Sequence, residues 1–405
     1  MSIREFCVRS CSVVAILFSA GVARAELKIE RVFGPEIPGG IYKHPATISE
    51  LSNGDLYIAY YGGEGEYKGD TAVFGSRRAK GTLTWTLPKK IADTPDRADG
   101  NGVIWQEPGG ATWLFYVVRY GETWSDSVIK YKYSLDNAQT WTDSEMLTFE
   151  KGMMVRSQPI QLINGDFLVP IYHETGNDKE LVGHESASLF VHYHKKTKEW
   201  TFSNLVHSRI GNIQPSVVQI DENNLFAFCR RGGGYGPMAD GFIVKTESHD
   251  GGATWTPGVD TEFPNPNAAV DVIKLKNKHL VMIYNDSNEG HRNPLTMRVS
   301  TDNGKSWPIA RTIVNTPKDE QAYPYIIQTS DGRIHGVYTS QRRSVVNHFD
   351  MDESDLSKSD PAITTTASAV NDTPTPNEFC ESQNVQTFTV PMKHRRRLFF
   401  GRFGR

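Results

Sequence analysis

A chain of 405 residues with a formal net charge of -3 and 38% hydrophobic residues has a globular composition, with no global positive field to attract nucleic acid. Its 35 glycines and 21 prolines point to many short elements joined by turns. Length alone permits either two or three domains or one repeat fold wound about a single axis.

At the N-terminus Arg4 and Arg9 precede an apolar run from Val13 to Val22 and then Ala23-Arg24-Ala25, a small-x-small pattern. Residues 1–25 therefore read as a signal peptide cleaved before Glu26, and the mature protein is expected to be secreted or periplasmic. The run is well short of the ~20 apolar residues that span a bilayer, so no stable membrane span is expected. Cys7 and Cys11 leave with this segment, and Cys229 and Cys380 remain. One bridge is possible, but no disulfide framework or cysteine metal cluster.

Through the mature chain a tryptophan recurs as Trp85, Trp141, Trp200, Trp255 and Trp307, at separations of 56, 59, 55 and 52 residues. Three of them end nearly identical segments: Ser134 to Trp141, Ser248 to Trp255 and Ser300 to Trp307, each following S-x-D-x-G-x-[ST]-W with Ala138 in place of glycine in the first. Weaker copies run from Ser76 to Trp85 and from Val191 to Trp200. Asp and Ser side chains that bond nearby backbone N–H groups, with a glycine at positive φ, suit a tight turn between strands. The motif, the Asp-box, is read as structural, with its Trp wedged between neighbouring units.

Six turn-then-strand segments accompany it, beginning at Asn53, Gly110, Asn164, Asn223, Asn277 and Asp331. Each follows another short apolar strand, beginning at His44, Asn101, Gln158, Gln214, Ala269 and Tyr323, and these read as the innermost strands. The expected fold is all-β, a six-bladed β-propeller over residues 26–350. A β-sandwich has no reason to repeat a Trp-terminated turn every ~55 residues. The sixth unit lacks an Asp-box, and Leu27 to Val32 is expected to close it by pairing with the last strands. Residues 351–405 read as a disordered linker and a basic, aromatic tail.

In a propeller the starts of the innermost strands converge on a central funnel. There the sequence supplies Lys43 and His44, Asn101, Arg156 with Gln158, Gln214, Asn267 with Asp271, and Tyr323. Loops add Asp70, Tyr120, Trp124, His173, Glu174, Arg230, Arg231, Arg292, Arg342 and Arg343. Several arginines on one face favour a carboxylate-bearing ligand through bidentate pairing. Neighbouring Arg230 and Arg231 face opposite sides of a strand, so one of them is expected to enter the funnel. Asp271 is either a site carboxylate or a turn residue.

From about Gly39 to Asp350 the chain resembles the sialidase superfamily and its branch of BNR-repeat proteins. The resemblance rests on the Asp-boxes and on Tyr42-Lys-His-Pro45, Asn53 to Gly63, Ile213-Gln-Pro-Ser216, Pro264 to Asn267, Arg292 to Leu295 and Tyr323-Pro324. It implies glycoside chemistry on acidic sugars, with arginines holding the substrate carboxylate, Tyr323 as nucleophile, Asp70 as acid and Glu174 as partner of the tyrosine; the candidate substrate-binding residues are Lys43, Arg230, Arg231, Arg292, Gln214 and Asp271. The departure is at the family's [FY]-R-I-P, which here reads Tyr42-Lys43-His44-Pro45. Lysine keeps the charge and loses the planar fork. A second reading is then a uronate lyase, with His44 and Tyr323 as base and acid and arginines neutralising the carboxylate. A third is a non-catalytic glycan-binding propeller using Trp124, Tyr120 and Tyr235 as stacking platforms. No cofactor or metal site is called for, because HExxH, paired cysteines and EF-hand loops do not occur.

Overall fold

The computed structural model describes residues 27–66, 68–175 and 182–358. The expected signal peptide, Cys380 and the basic tail lie outside the described residues. Short strands rich in β-branched and aromatic residues, separated by Gly and Asn turns, form antiparallel meanders. Six such sheets follow one another as six blades. The innermost strands of blades 1, 2, 4, 5 and 6 are Tyr42–Glu50, Ala98–Gln106, Asn212–Gln219, Asp271–Lys274 and Ala322–Gln328. Blade 3 differs: its inner strand is broken into Met153–Val155 and Ile160–Gln161, both paired with Phe167–His173.

Blade 6 is completed as the sequence suggested. The strand Lys28–Phe33 pairs antiparallel with Val345–Met351, with Glu30 opposite His348, so the last blade is finished by the first strand. The ordered chain continues past the expected limit at residue 350, through a 3-10 turn over Glu353–Ser357. Leu356 is buried there, and a reciprocal cap between Asp352 and Asp355 together with a bond from Arg311 to the Asp355 carbonyl holds the turn.

The Asp-boxes are turns. In each, the serine hydroxyl accepts from the backbone N–H four residues on, at 2.8–2.9 Å, and the aspartate accepts the hydroxyl of the following Thr or Ser at 2.6 Å. The tryptophans of the second and third boxes pack on the preceding blade. Trp255 stacks on Phe190 at 3.7 Å between centroids, and Trp307 lies 5.7 Å from Phe228. Cutting such a buried ring back to alanine costs about 3–5 kcal/mol.

Around the axis each inner strand presents an edge that the neighbouring blade must satisfy. Thr47 accepts from Ile104 N–H and donates to the Gly102 carbonyl, and Ser216 does the same for Val272 N–H and the Asp271 carboxylate. Where the inner strands end, Glu50 accepts from Ser330, and Gln219 and Gln328 accept from Ile163 and Lys276 of the preceding blades. That end opens into a wide depression whose polar groups are largely committed to these staples. The start of the strands forms the narrower mouth, and the chemistry gathers there.

Candidate functional site

The mouth is built by backbone irregularity. Asn101, Gln214 and Tyr323 have φ of 42°, 55° and 54°, each inside a register shift of its inner strand, and Asn267 at 57° precedes that of blade 5. A left-handed bulge turns a side chain out of the alternation and into the funnel. For a tyrosine the conformation is an outlier costing on the order of 1–3 kcal/mol, which the surrounding structure must over-determine.

Arg230, Arg292 and Arg343 converge on Tyr323 in a pocket at this mouth. Arg230 donates from Nη1 to the Tyr323 hydroxyl at 2.9 Å, from Nε to Asn267 Oδ1 at 2.6 Å and from Nη2 to the Tyr235 hydroxyl at 3.2 Å. Asn267 therefore fixes one arginine by its side chain, and its carbonyl accepts from Arg292 Nη2 at 3.4 Å. Arg292 Nη1 is buried without an acceptor among the described residues. Arg343 comes from the turn joining the second and third strands of blade 6. It donates to Glu66 Oε2 at 2.8 Å and to the Tyr42 hydroxyl at 3.2 Å.

Burial alone would raise the Tyr323 phenol, but the charges of Arg230, Arg292 and Arg343 outweigh it and hold the group below its ordinary range. The nearby Tyr172 and Tyr61 go well above theirs, burial being the larger cause and the charges of Glu174 and Glu66 adding to it. The pocket thus singles out one phenol for ionisation. Three guanidiniums face two carboxylates, Glu66 and Glu174, along its lining, a balance that one more negative charge would neutralise.

Of the residues expected at the site, Tyr323, Arg230, Arg292, Gln214 and Glu174 line this pocket. His44 lies against it: its ring meets that of Tyr323 edge-on at 4.2 Å, fully buried, with Nδ1 2.7 Å from the Thr339 hydroxyl. Burial and the surrounding arginines push its imidazole well below the usual histidine range.

Four expected residues do not reach the pocket. Lys43 is buried with Nζ bonded to the carbonyls of Ile37 and Gly40, because its strand position points it away from the funnel. Asp70 is exposed and caps Glu64 N–H at 3.1 Å. Arg231, one residue from Arg230 on a strand, turns to the other face and bonds the carbonyls of Asn265, Gly232 and Gly234. Asp271 lies within the channel wall, accepting from Ser216 at 2.7 Å and Ile326 N–H at 2.8 Å, and serves as a strut between blades.

Sequence reasoning missed Glu66, which accepts from Tyr42, Trp124 and Arg343 and so joins blades 1, 2 and 6 at the rim. No motif marks it. Arg343 was visible as a loop arginine, but its role was not: the guanidinium absent at position 43 arrives from blade 6, whose Arg343 carbonyl accepts the Lys43 N–H at 2.8 Å.

The chain is similar in fold to several solved structures. The Hadza microbial sialidase Hz136 superposes with a TM-score of 0.64 at 14% identity, over 77% of this chain and 66% of that one. The NanB sialidase from Streptococcus pneumoniae gives 0.67 at 11%, over 81% and 71%, and the intramolecular trans-sialidase from Ruminococcus gnavus 0.65 at 12%, over 81% and 98%. No curated protein sequence matches the chain. The sequence model of the BNR repeat-like domain matches residues 54–336, well over half of the chain. With six blades, Asp-box turns and that match in agreement, the protein belongs to the BNR repeat-like family.

Proposed function

We propose that this protein is an extracytoplasmic glycosidase that hydrolyses a terminal, carboxylate-bearing sugar from a glycan, as a sialidase does. The observation that carries the reading is the convergence of Arg230, Arg292 and Arg343 on Tyr323, with Arg292 Nη1 lacking an acceptor. Planar guanidiniums with free donors are the groups that bind a carboxylate bidentately, and a buried donor without a partner favours any ligand that supplies one.

In this reading the sugar carboxylate engages Arg230, Arg292 and Arg343 and brings the anomeric carbon over Tyr323. The phenolate oxygen forms a bond to that carbon as the bond to the leaving oxygen breaks, and a carboxylic acid of the pocket protonates the leaving oxygen. Water then displaces the tyrosine oxygen and releases the free sugar. Glu174 and Glu66 are the carboxylates for these proton transfers, and they replace Asp70 in that role. Sialidases among the fold neighbours support the class of reaction.

The test is incubation of the mature protein with sialylated and with uronate-terminated oligosaccharides. Free sialic acid without new ultraviolet absorbance is the expected outcome. An unsaturated uronate would move the chemistry to elimination, and saturable binding without turnover would leave a glycan-binding protein.

A further inference from the structure

The inner strand of blade 3 breaks where Arg156, Ser157, Gln158 and Pro159 leave the ladder, and the two pieces on either side still pair with the same second strand. Pro159 has no N–H to give, and the residue before a proline is pushed toward extended geometry. The released segment crosses the channel. Arg156 donates from Nη2 to the Pro324 carbonyl, and Gln158 from Nε2 to the Ile326 carbonyl at 3.2 Å, so blade 3 is fastened directly to the opposite blade 6. Both acceptors lie on the strand that carries Tyr323 in its left-handed bulge.

The Arg156 guanidinium sits 5.7 Å from the Tyr323 ring centroid and 5.6 Å from that of Tyr325. It is 1% exposed, and its Nε and Nη1 have no acceptor among the described residues. A buried cation with idle donors costs stability, so simple core packing does not account for it. Asp271 offers a countercharge, but its oxygens are engaged by Ser216 and Ile326.

We propose that Arg156 is a positioning residue for Tyr323: from the broken strand of blade 3 it pins the backbone immediately after the bulge and keeps a fixed cation beside the phenol ring. The ligand side of Tyr323 belongs to Arg230, Arg292 and Arg343, and Arg156 is not itself one of the residues lining the open pocket. Its action on catalysis therefore passes through the tyrosine, and this inference rests on the reading of Tyr323 as the reacting group.

Two variants test it, Arg156→Met and Arg156→Lys, with folding followed by thermal melting. Tyr323 is read by the tyrosinate absorbance near 295 nm, taken as the difference from the same protein carrying Tyr323→Phe. Arg156→Met is expected to fold with a lower melting temperature than the parent, because buried Asp271 loses its countercharge. Its Tyr323 phenol should ionise about tenfold less readily, a shift of about one pH unit, and kcat should fall at least as much with KM little changed. Arg156→Lys should restore part of the ionisation shift. An unshifted Tyr323 titration in folded Arg156→Met would overturn the proposal. If Arg156→Met does not fold, Arg156→Lys alone decides, an unshifted titration with unchanged kcat counting against it. Should the protein turn over no sialoside, the titration still reads the coupling, so failure of the glycosidase reading is distinguishable from failure of this one.

Discussion

Nη1 of Arg230, on blade 4, donates a 2.9 Å hydrogen bond to the hydroxyl of Tyr323 on blade 6. The bond sets a full positive charge beside the oxygen that the proposed mechanism makes anionic, and it passes between two blades that the chain joins only through the fifth. Removing the oxygen while keeping the ring, as in Tyr323→Phe, should lower kcat on the order of 10³-fold or more and leave ligand binding within a few-fold. Steady-state kinetics with calorimetric binding of the free acidic sugar checks both halves.

The same charges predict an ordered titration. Burial would raise the Tyr323 phenol, but three arginines bring it below 10, whereas Tyr42, Tyr61, Tyr172 and Tyr325 go up, with burial the largest cause in each. The first tyrosine to ionise on raising pH should therefore vanish in Tyr323→Phe. Ultraviolet difference titration would show it, and an early phase that survives the substitution would contradict the arginine arrangement.

Arg343 reaches the pocket through a costly turn. Gln341, Arg342 and Arg343 have φ of 50°, 55° and 64°, three consecutive left-handed residues none of which is glycine. Such residues cost roughly 1–2 kcal/mol each, against which glycine loses ~0.5–1 kcal/mol in chain entropy. Arg342 is exposed and outside the pocket, so Arg342→Gly should raise stability by about 0.5–1 kcal/mol in denaturant melts with kcat/KM unchanged. Arg343→Lys, which loses the fork, should instead raise KM about tenfold.

Acid stability should depend on the seam of the ring. Glu30 Oε1 bonds His348 Nδ1 at 2.8 Å, and His348 Nε2 lies 2.9 Å from His335 Nδ1, with Arg78, Trp85, Asp331 and Arg333 around them. Burial, then the charges of His348 and Arg78, pushes His335 down to about 3. An unfolded histidine takes up a proton near 6.5, so the stability from keeping His335 neutral is complete above 6.5 and lost as pH falls toward 3. For Glu30 burial acts upward, yet the bonds from His348 and Trp85 and the Arg78 charge bring it to about 2, so its contribution is lost below about 4.5. His335→Phe should lessen the fall in melting temperature between pH 6.5 and 4.5, by the equivalent of a few kcal/mol at most, with the part owed to His44, His192 and His348 remaining, and leave the lower limb in place.

The fold was legible because it repeats: Ser248, Asp250 and Trp255 are recognisable by their spacing from Ser300, Asp302 and Trp307, and a turn of that chemistry needs no long-range information. Gln214 and Tyr323 were legible for a related reason, since each precedes a proline at the start of an inner strand and the bulge turns both inward. Which member of a neighbouring pair faces the axis was not, as Lys43 and Arg231 demonstrate, because one residue of register reverses the side. Glu66 and Arg343 lie on loops brought together across blades 1 and 6, a contact spanning 277 positions that no local pattern encodes. Arg156 was legible as a funnel residue, but its crossing to Pro324 depends on a strand break that the sequence marks only by Pro159.

Glu30 and His348 are 318 positions apart and meet across one pair of strands. Blades 1 to 5 are each a contiguous stretch that can assemble as it is made, whereas blade 6 waits for Val345–Met351 and then recruits Lys28–Phe33 from the far end. Closing so long a loop carries a large entropic cost and makes ring closure a late event. Tyr323 and Arg343 both belong to that last blade, so the phenol and one of its cations take their positions only when the circle shuts. Until then the nascent protein is without this pocket.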